Sequence, residues 1–332
     1  MIQQSTLKKL SEVLGLSIST VSRALKDHPD ISEKTKVKVK ELAVAMEYEP
    51  NSYAVQLRTK HTNVLGILVS SIDNFFYDSF IAAVEEDARL HGYSVIIMQS
   101  RNDLQIEKNN LHLFRKNMVA GLFVSVTTET EEIAPFLKLS ELDIPLIFFD
   151  CVPDVTENCN KVCLADKEAA AIAAEAIIKK KKQKVLALFG HPHLSITKKR
   201  LESFQDVFAK QSPQTNIVYA FPDKTAESKE VTLAALEKKD QPDTIFCMGD
   251  QILIGAMYAI HEKKLRMPED ISVIGISNGF LPTLYNPKIT YVETSGYKLG
   301  KRAFAQMLLC LQGNNPQEEV FIESVLVEGG SL

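Results

Sequence analysis

The chain has 332 residues, 45% hydrophobic and 24% charged, with a net charge of −4. This composition excludes a disordered or collagen-like chain and gives length enough for two or three compact units. No apolar run approaches the ~20 residues that cross a bilayer, the first residues lack the apolar core of a secretory signal, and five cysteines do not make a disulfide scaffold. A reducing cytoplasm is the expected compartment.

The charge is unevenly spread. Residues 1–60 carry ten Lys/Arg against seven Asp/Glu, a net +3, and the remainder carries 28 against 35, a net −7. A small basic head on an acidic body is the distribution expected when only one end meets phosphates.

The first sixty residues predict short helices with sharp punctuation. Thr6 is placed to cap a helix whose Leu7, Leu10 and Leu14 share one face, and Gly15 ends it, since glycine tolerates the left-handed conformation there. Ser17 caps a second helix with Val21, Ala24 and Leu25 inward and Ile18, Ser19, Ser22 and Arg23 outward. "KDHPDI" is a turn, and Ser32 opens a third helix striped by Val39, Leu42, Ala43 and Met46. Two helices joined by a Gly-containing turn, with a third to pack them, predict a helix-turn-helix.

From Asn63 the pattern becomes buried strands alternating with helices. Apolar runs fall at 64–70, 94–100, 119–126 and 144–150, and a second series at 184–190, 216–221, 243–248 and 270–276. Helical patterns such as 80–92 and 250–265 lie between them. This alternation predicts an α/β body of parallel sheets covered on both faces, and two series predict two lobes. Ligands in such folds sit beyond the carboxyl ends of the strands.

The segment "STLKKLSEVLGLSISTVSRALKDHPDISEKTKVKVKELAVAMEYEPNSYAVQL" (5–57) resembles the DNA-binding head of LacI-family transcriptional regulators. The resemblance rests on "LSISTVSRAL", on "ISEKT" and on "YEPN" followed by Ala-x-x-Leu, and extends more loosely over the rest of the chain. It implies a head and hinge helix over 1–60, with the hinge at about 50–58, and a two-lobed, periplasmic-binding-protein-like body over 61–332. One departure is Lys9-Leu10-Ser11, where the family usually has Asp-Ile/Val-Ala.

A recognition helix presents its first side chains to base edges in the major groove. The resemblance puts the base-reading positions at Ile18, Ser19 and Arg23. Arg23 suits a bidentate contact to guanine and Ile18 a thymine methyl, while Ser17, Thr20 and Ser22 are short hydroxyls suited to phosphate. Segment 50–60 has few large apolar residues and is marginal as a helix alone. The resemblance implies that it becomes helical when two copies pair in the minor groove, with Leu57 as the wedge and Ala54 allowing close approach.

In the body, Asp150, Arg200 and Asp250 stand at strand ends or on the following helix and match family positions lining the cleft between lobes. Carboxylates accept hydrogen bonds from hydroxyls and a guanidinium donates a planar fork. Asp250 is also placed to cap the helix that follows. Phe75, Phe76 and Tyr77 fall in a loop after the first strand, with at least one expected in the core; the resemblance puts Phe76 and Tyr77 near the ligand. Phe221 is a further candidate of the same kind. The resemblance implies a small-molecule effector; sugars, sugar phosphates and purines all suit a lining of Asp, Arg and aromatic residues, and a sugar or sugar derivative is the expected one.

No P-loop or GxGxxG occurs and nothing pairs a nucleophile with a base, so neither catalysis nor a cofactor is expected. His191 and His193 lack ligand-spaced partners, Cys151, Cys159 and Cys163 read as apolar fillers, and "KKKKQK" (179–184) reads as a solvated connection. The family more often has Asp where Ser277 and Asn278 stand, and "ETSG" replaces a common Gln-Pro. The expected protein is a homodimeric, ligand-responsive regulator of transcription on a palindromic operator. A small-molecule binding protein on the same scaffold, without a regulatory role, is the alternative, and an enzyme on that scaffold a more distant one.

Overall fold

The computed structural model describes residues 7–48, 62–153 and 159–332. The chain divides into two compact units between Thr62 and Asn63.

The first unit contains α1 (Leu7–Leu14), α2 (Ile18–Leu25) and α3 (Glu33–Ala45). Leu10, Val21, Ala24 and Val39 are fully buried where the three meet, and Leu14, Leu25, Leu42 and Met46 close around them. The punctuation works as the residue types require. Gly15 adopts φ +63°, the Ser17 hydroxyl accepts from the Thr20 amide at 3.1 Å, and the Ser32 hydroxyl accepts from the Thr35 amide at 3.3 Å. Each cap satisfies a helix-end amide that has no partner within its own helix. Thr6 and the expected hinge at 50–58, with Ala54 and Leu57, lie outside the described residues.

The second unit holds two parallel-strand lobes of the same topology. The first begins with β1 (Val64–Val69), α4 (Phe75–Leu90), β2 (Ser94–Gln99), α5 (Leu104–Lys116), β3 (Gly121–Val124), α6 (Ala134–Ser140), β4 (Leu146–Phe149) and β5 (Asn160–Leu164). The second comprises α7 (Asp166–Lys179), β6 (Lys184–Leu188), α8 (Ser195–Gln211), β7 (Asn216–Ala220), α9 (Thr225–Leu236), β8 (Thr244–Cys247), α10 (Asp250–Glu262), β9 (Ser272–Ser277) and β10 (Thr290–Glu293). The chain then returns through α11 (Gly296–Leu311) and β11 (Glu319–Ile322) to the first lobe and ends with β12 (Val325–Val327) in the second. Sheet orders are β11-β5-β4-β3-β1-β2 and β12-β10-β9-β8-β6-β7, parallel throughout except that β12 runs antiparallel to β10.

The eight strands expected from apolar runs are all present, as β1–β4 and β6–β9. β5 and β10 escaped that reading because Asn160 and Lys161 in one, and Thr290 and Glu293 in the other, leave no long apolar run, and β11 and β12 sit at sheet edges with alternating or incomplete burial. The sheets carry the cores: Leu65, Ile67, Phe123, Ile147 and Phe149 in one, Leu186, Leu188, Ile245, Phe246 and Ile274 in the other. α11 lies against α4 at very close range. A methyl added at Gly300 would stand 2.7 Å from the Phe80 carbonyl oxygen, so only glycine allows that approach.

Candidate functional site

On the head, burying Val21 and Ala24 turns the opposite side of α2 outward. Ser17, Ile18, Ser19 and Arg23 are exposed there, with Thr20 and Ser22 half-buried beside them. Ile18 is 49% exposed, an isoleucine left in water at the first turn of a helix whose other apolar positions are packed. The Ser17 hydroxyl also lies 2.8 Å from those of Ser19 and Thr20, which makes a compact cluster of donors and acceptors at the helix start. Arg23 reaches Asp30 at 3.7 Å, with both side chains more than half in solvent. A pair so placed is worth at most about 1 kcal/mol and leaves the guanidinium available.

In the body, both sheets present their strand carboxyl ends to one cavity of about 330 Å³. It is lined from the first lobe by Ser70, Asn74, Phe76, Tyr77, Asp150 and Cys151, among others, and from the second by Arg200, Lys224, Asp250, Ser277 and Asn278, among others. Five of the six body residues expected at a ligand site are therefore together: Phe76, Tyr77, Asp150, Arg200 and Asp250. Phe221 is not among the lining residues. It is 41% exposed just after β7, with its ring 6.4 Å from that of Phe189.

The aromatic segment is helix, not loop. Asn74 caps α4 by accepting from the Phe76 amide at 2.9 Å, so the helix starts five residues before the point its periodicity predicts. Tyr77 is the core member of the three, as expected of one of them, and still lines the cavity. Its hydroxyl donates to Asp150 Oδ2 at 2.8 Å and lies 2.9 Å from the Ser125 hydroxyl. Asp150, directly after β4, adopts φ +55° and is buried. Burial pushes its carboxyl above the usual range, and the Tyr77 hydrogen bond works against that rise.

Arg200 is nearly fully buried rather than solvated. Its Nε and Nη2 lie 2.8 and 2.7 Å from Asp166 Oδ1, and its Nη1 donates to the Met248 carbonyl at 2.7 Å. Nothing in the sequence marks Asp166. In "LADKEAA" it looks like an ordinary acidic residue in the first turn of a helix, and nothing local reveals the arginine 34 positions on. Burial pushes the Asp166 carboxyl up and the Arg200 guanidinium pulls it back down.

Asp250 is the first residue of α10, but it is not the cap. Gly249 holds that position and no side chain caps the helix. The carboxylate instead faces the β9 end, with Oδ2 3.5 Å from the Asn278 amide. Its Oδ1 is enclosed and takes no hydrogen bond among the described residues. Burial raises its pKa from the usual 3.8 to about 6, with the Ser277 hydroxyl and Asn278 amide opposing the rise. Asn278 also closes the cleft mouth. Its Nδ2 donates to the Phe75 carbonyl at 2.7 Å, and the Phe280 ring stands 5.6 Å from that of Phe75 in the opposite lobe.

Among the described residues no cluster of His, Cys, Asp or Glu is arranged to hold a metal, and no helix is long and apolar enough to cross a membrane. Cys151 is buried in the apolar core of the first lobe, as a filler is, and its free thiol also lines the cavity, 3.6 Å from Asp150 Oδ2.

Residues 6–51 match the description "Bacterial regulatory proteins, lacI family", and residues 174–332 match "Periplasmic binding protein-like domain". The chain belongs to the lacI family. Relatives of this lacI-family chain along nearly its whole length include the HTH-type transcriptional repressor PurR of Vibrio atlanticus, 26% identical over 96% of this chain and 95% of that one. The ribose operon repressor of Halalkalibacterium halodurans is 28% identical over 89% and 87%. Among solved structures, the lac repressor dimer bound to operator and the anti-inducer ONPF superposes with a TM-score of 0.88 at 23% identity, covering 99% of each chain. A periplasmic binding protein/LacI transcriptional regulator from Alkaliphilus metalliredigens, complexed with D-xylulofuranose, gives 0.71 at 20% identity over 81% of this chain and 99% of that one. As a lacI-family member the chain is a regulator of transcription, not an enzyme.

Proposed function

We propose that the chain is a cytoplasmic, ligand-responsive transcriptional repressor that binds a palindromic operator as a homodimer. The observation that carries this reading is the outward face of α2. A helix anchored by Val21 and Ala24 presents Ile18, Ser19 and Arg23 to solvent beside a cluster of hydroxyls, in the same chain as a polar cavity between two lobes. Ile18, Ser19 and Arg23 read bases, Ser17, Thr20 and Ser22 hold phosphates, and Ala54 and Leu57 act in the hinge. Phe76, Tyr77, Asp150, Arg200 and Asp250 meet the effector, a sugar or sugar derivative.

One head buries too little surface for specific affinity, whereas two related by a dyad read two half-sites. Ligand shifts operator affinity only by its differential affinity for the two lobe arrangements, typically 1–3 kcal/mol. Selection from random duplex DNA should return a palindrome that the chain protects as two copies, with a distorted central minor groove. Recovery of an isolated half-site bound by one copy would overturn the reading.

A further inference from the structure

We infer that the cleft selects an effector without negative charge, a polyhydroxyl molecule with or without an amino group, over its phosphorylated and carboxylated counterparts. This rests on the proposed reading of the cleft as the effector site.

The argument is a balance of charges inside the cavity. Five charged side chains line it: Asp150, Asp223 and Asp250 are acidic, Arg200 and Lys224 basic. Arg200 brings no net positive charge, because Asp166 lies against its Nε and Nη2 while the Met248 carbonyl takes its Nη1. Asp223 and Lys224 are exposed neighbours on the loop after β7 and offset one another. That leaves Asp150 and Asp250. The donors to Asp150 are the Tyr77 hydroxyl and the Cys151 thiol, and those facing Asp250 are the Asn278 amide and the Ser277 hydroxyl. All four are neutral, so neither carboxylate is neutralised by a cation among the described residues.

An incoming phosphate or carboxylate therefore meets two like charges on largely buried side chains, and is disfavoured unless protons come with it. A hydroxyl or ammonium meets acceptors instead, and the enclosed Oδ1 of Asp250 still lacks a donor among the described residues. Many binding sites accept either class of sugar; here the pairing of the arginine with Asp166 removes the group best suited to hold a phosphate.

Two measurements on the full chain without DNA test this. Thermal shift at neutral pH with glucose and glucose 6-phosphate, ribose and ribose 5-phosphate, and galactose and galacturonate should show, in every pair that responds, the uncharged member binding at least about tenfold tighter. Glucosamine beside glucose tells whether the acceptor prefers ammonium or hydroxyl. The Asp250→Asn variant should narrow the gap within each responding pair. Crystals soaked in sodium iodide should show no halide between Asp150 and Asp250. An anionic sugar outbinding its neutral partner, or iodide seated between those carboxylates, overturns the inference even if no sugar in the panel binds. Failure of the regulatory reading shows separately, as an operator affinity that a bound sugar leaves unmoved.

Discussion

Arg200 and Asp166 hold one another at 2.7 Å, both almost completely buried, and so tie α8 to the start of α7 beneath the cavity. Two buried charges lose more solvation than their attraction returns unless every remaining polar atom is satisfied, and the Met248 carbonyl supplies part of that satisfaction. Removing only one partner leaves a bare charge in the interior. Asp166→Ala should lower stability by about 3–5 kcal/mol. Joint replacement by Asp166→Leu and Arg200→Met should lie much closer to the native chain. Urea unfolding of the three variants checks this, and a double variant as unstable as the single one would contradict it.

Asp250 gives a pH signature. Its folded pKa, about 6, lies above the usual 3.8, so the folded protein holds more protons than the unfolded one between those values. Its contribution to stability therefore falls as pH climbs through that window, by about 2–3 kcal/mol at most. Asp250→Asn should remove this slope. The variant should melt higher than the native chain at neutral pH, with the advantage shrinking on acidification below the window. An advantage of equal size on both sides of the window would show that its charge is not what costs stability.

Arg23 is the sharpest test of the head. If it reads a guanine edge, Arg23→Ala should cost about 1–3 kcal/mol at particular operator positions and leave others untouched. Binding to a set of single-base operator variants resolves this. Uniform weakening across the set, with a shallower salt dependence, would reassign Arg23 to phosphate.

The cleft mouth is held by few groups, so small changes should loosen it. Asn278→Ala with Phe280→Ala removes the hydrogen bond to the Phe75 carbonyl and the ring facing Phe75. Solution X-ray scattering should then show the body expanding toward an open arrangement, while the melting temperature changes little. An unchanged radius of gyration would mean that the lobes are held together elsewhere, for example by Ile196, which packs against the cores of both.

What the sequence made legible was local. Capping serines at Ser17 and Ser32, the glycine at Gly15 and the long apolar strands announce themselves through residues close in sequence, because caps, turns and strand runs depend on near neighbours. Asp150 and Arg200 were found because they sit at strand ends or on a helix after one, and ligand sites gather there. What stayed hidden depends on distance along the chain. Asp166 shows its role only through Arg200, Asn278 only through Phe75, and Gly300 only through Phe80. Phe221 carried the right chemistry, but the turn after β7 leaves it outside the cavity lining.

The return of α11 and β11 to the first lobe has a consequence for synthesis. That lobe starts to emerge from the ribosome at Val64, yet the helix packed against α4 and the strand paired with β5 are not made until residues 296–322. The second lobe, begun a hundred residues later at Asp166, lacks only its short antiparallel edge strand by the same moment. The lobe translated first is thus completed only after the second is almost whole, and until then its nascent form exposes the apolar surface that Leu299, Ala303, Phe304 and Met307 later cover.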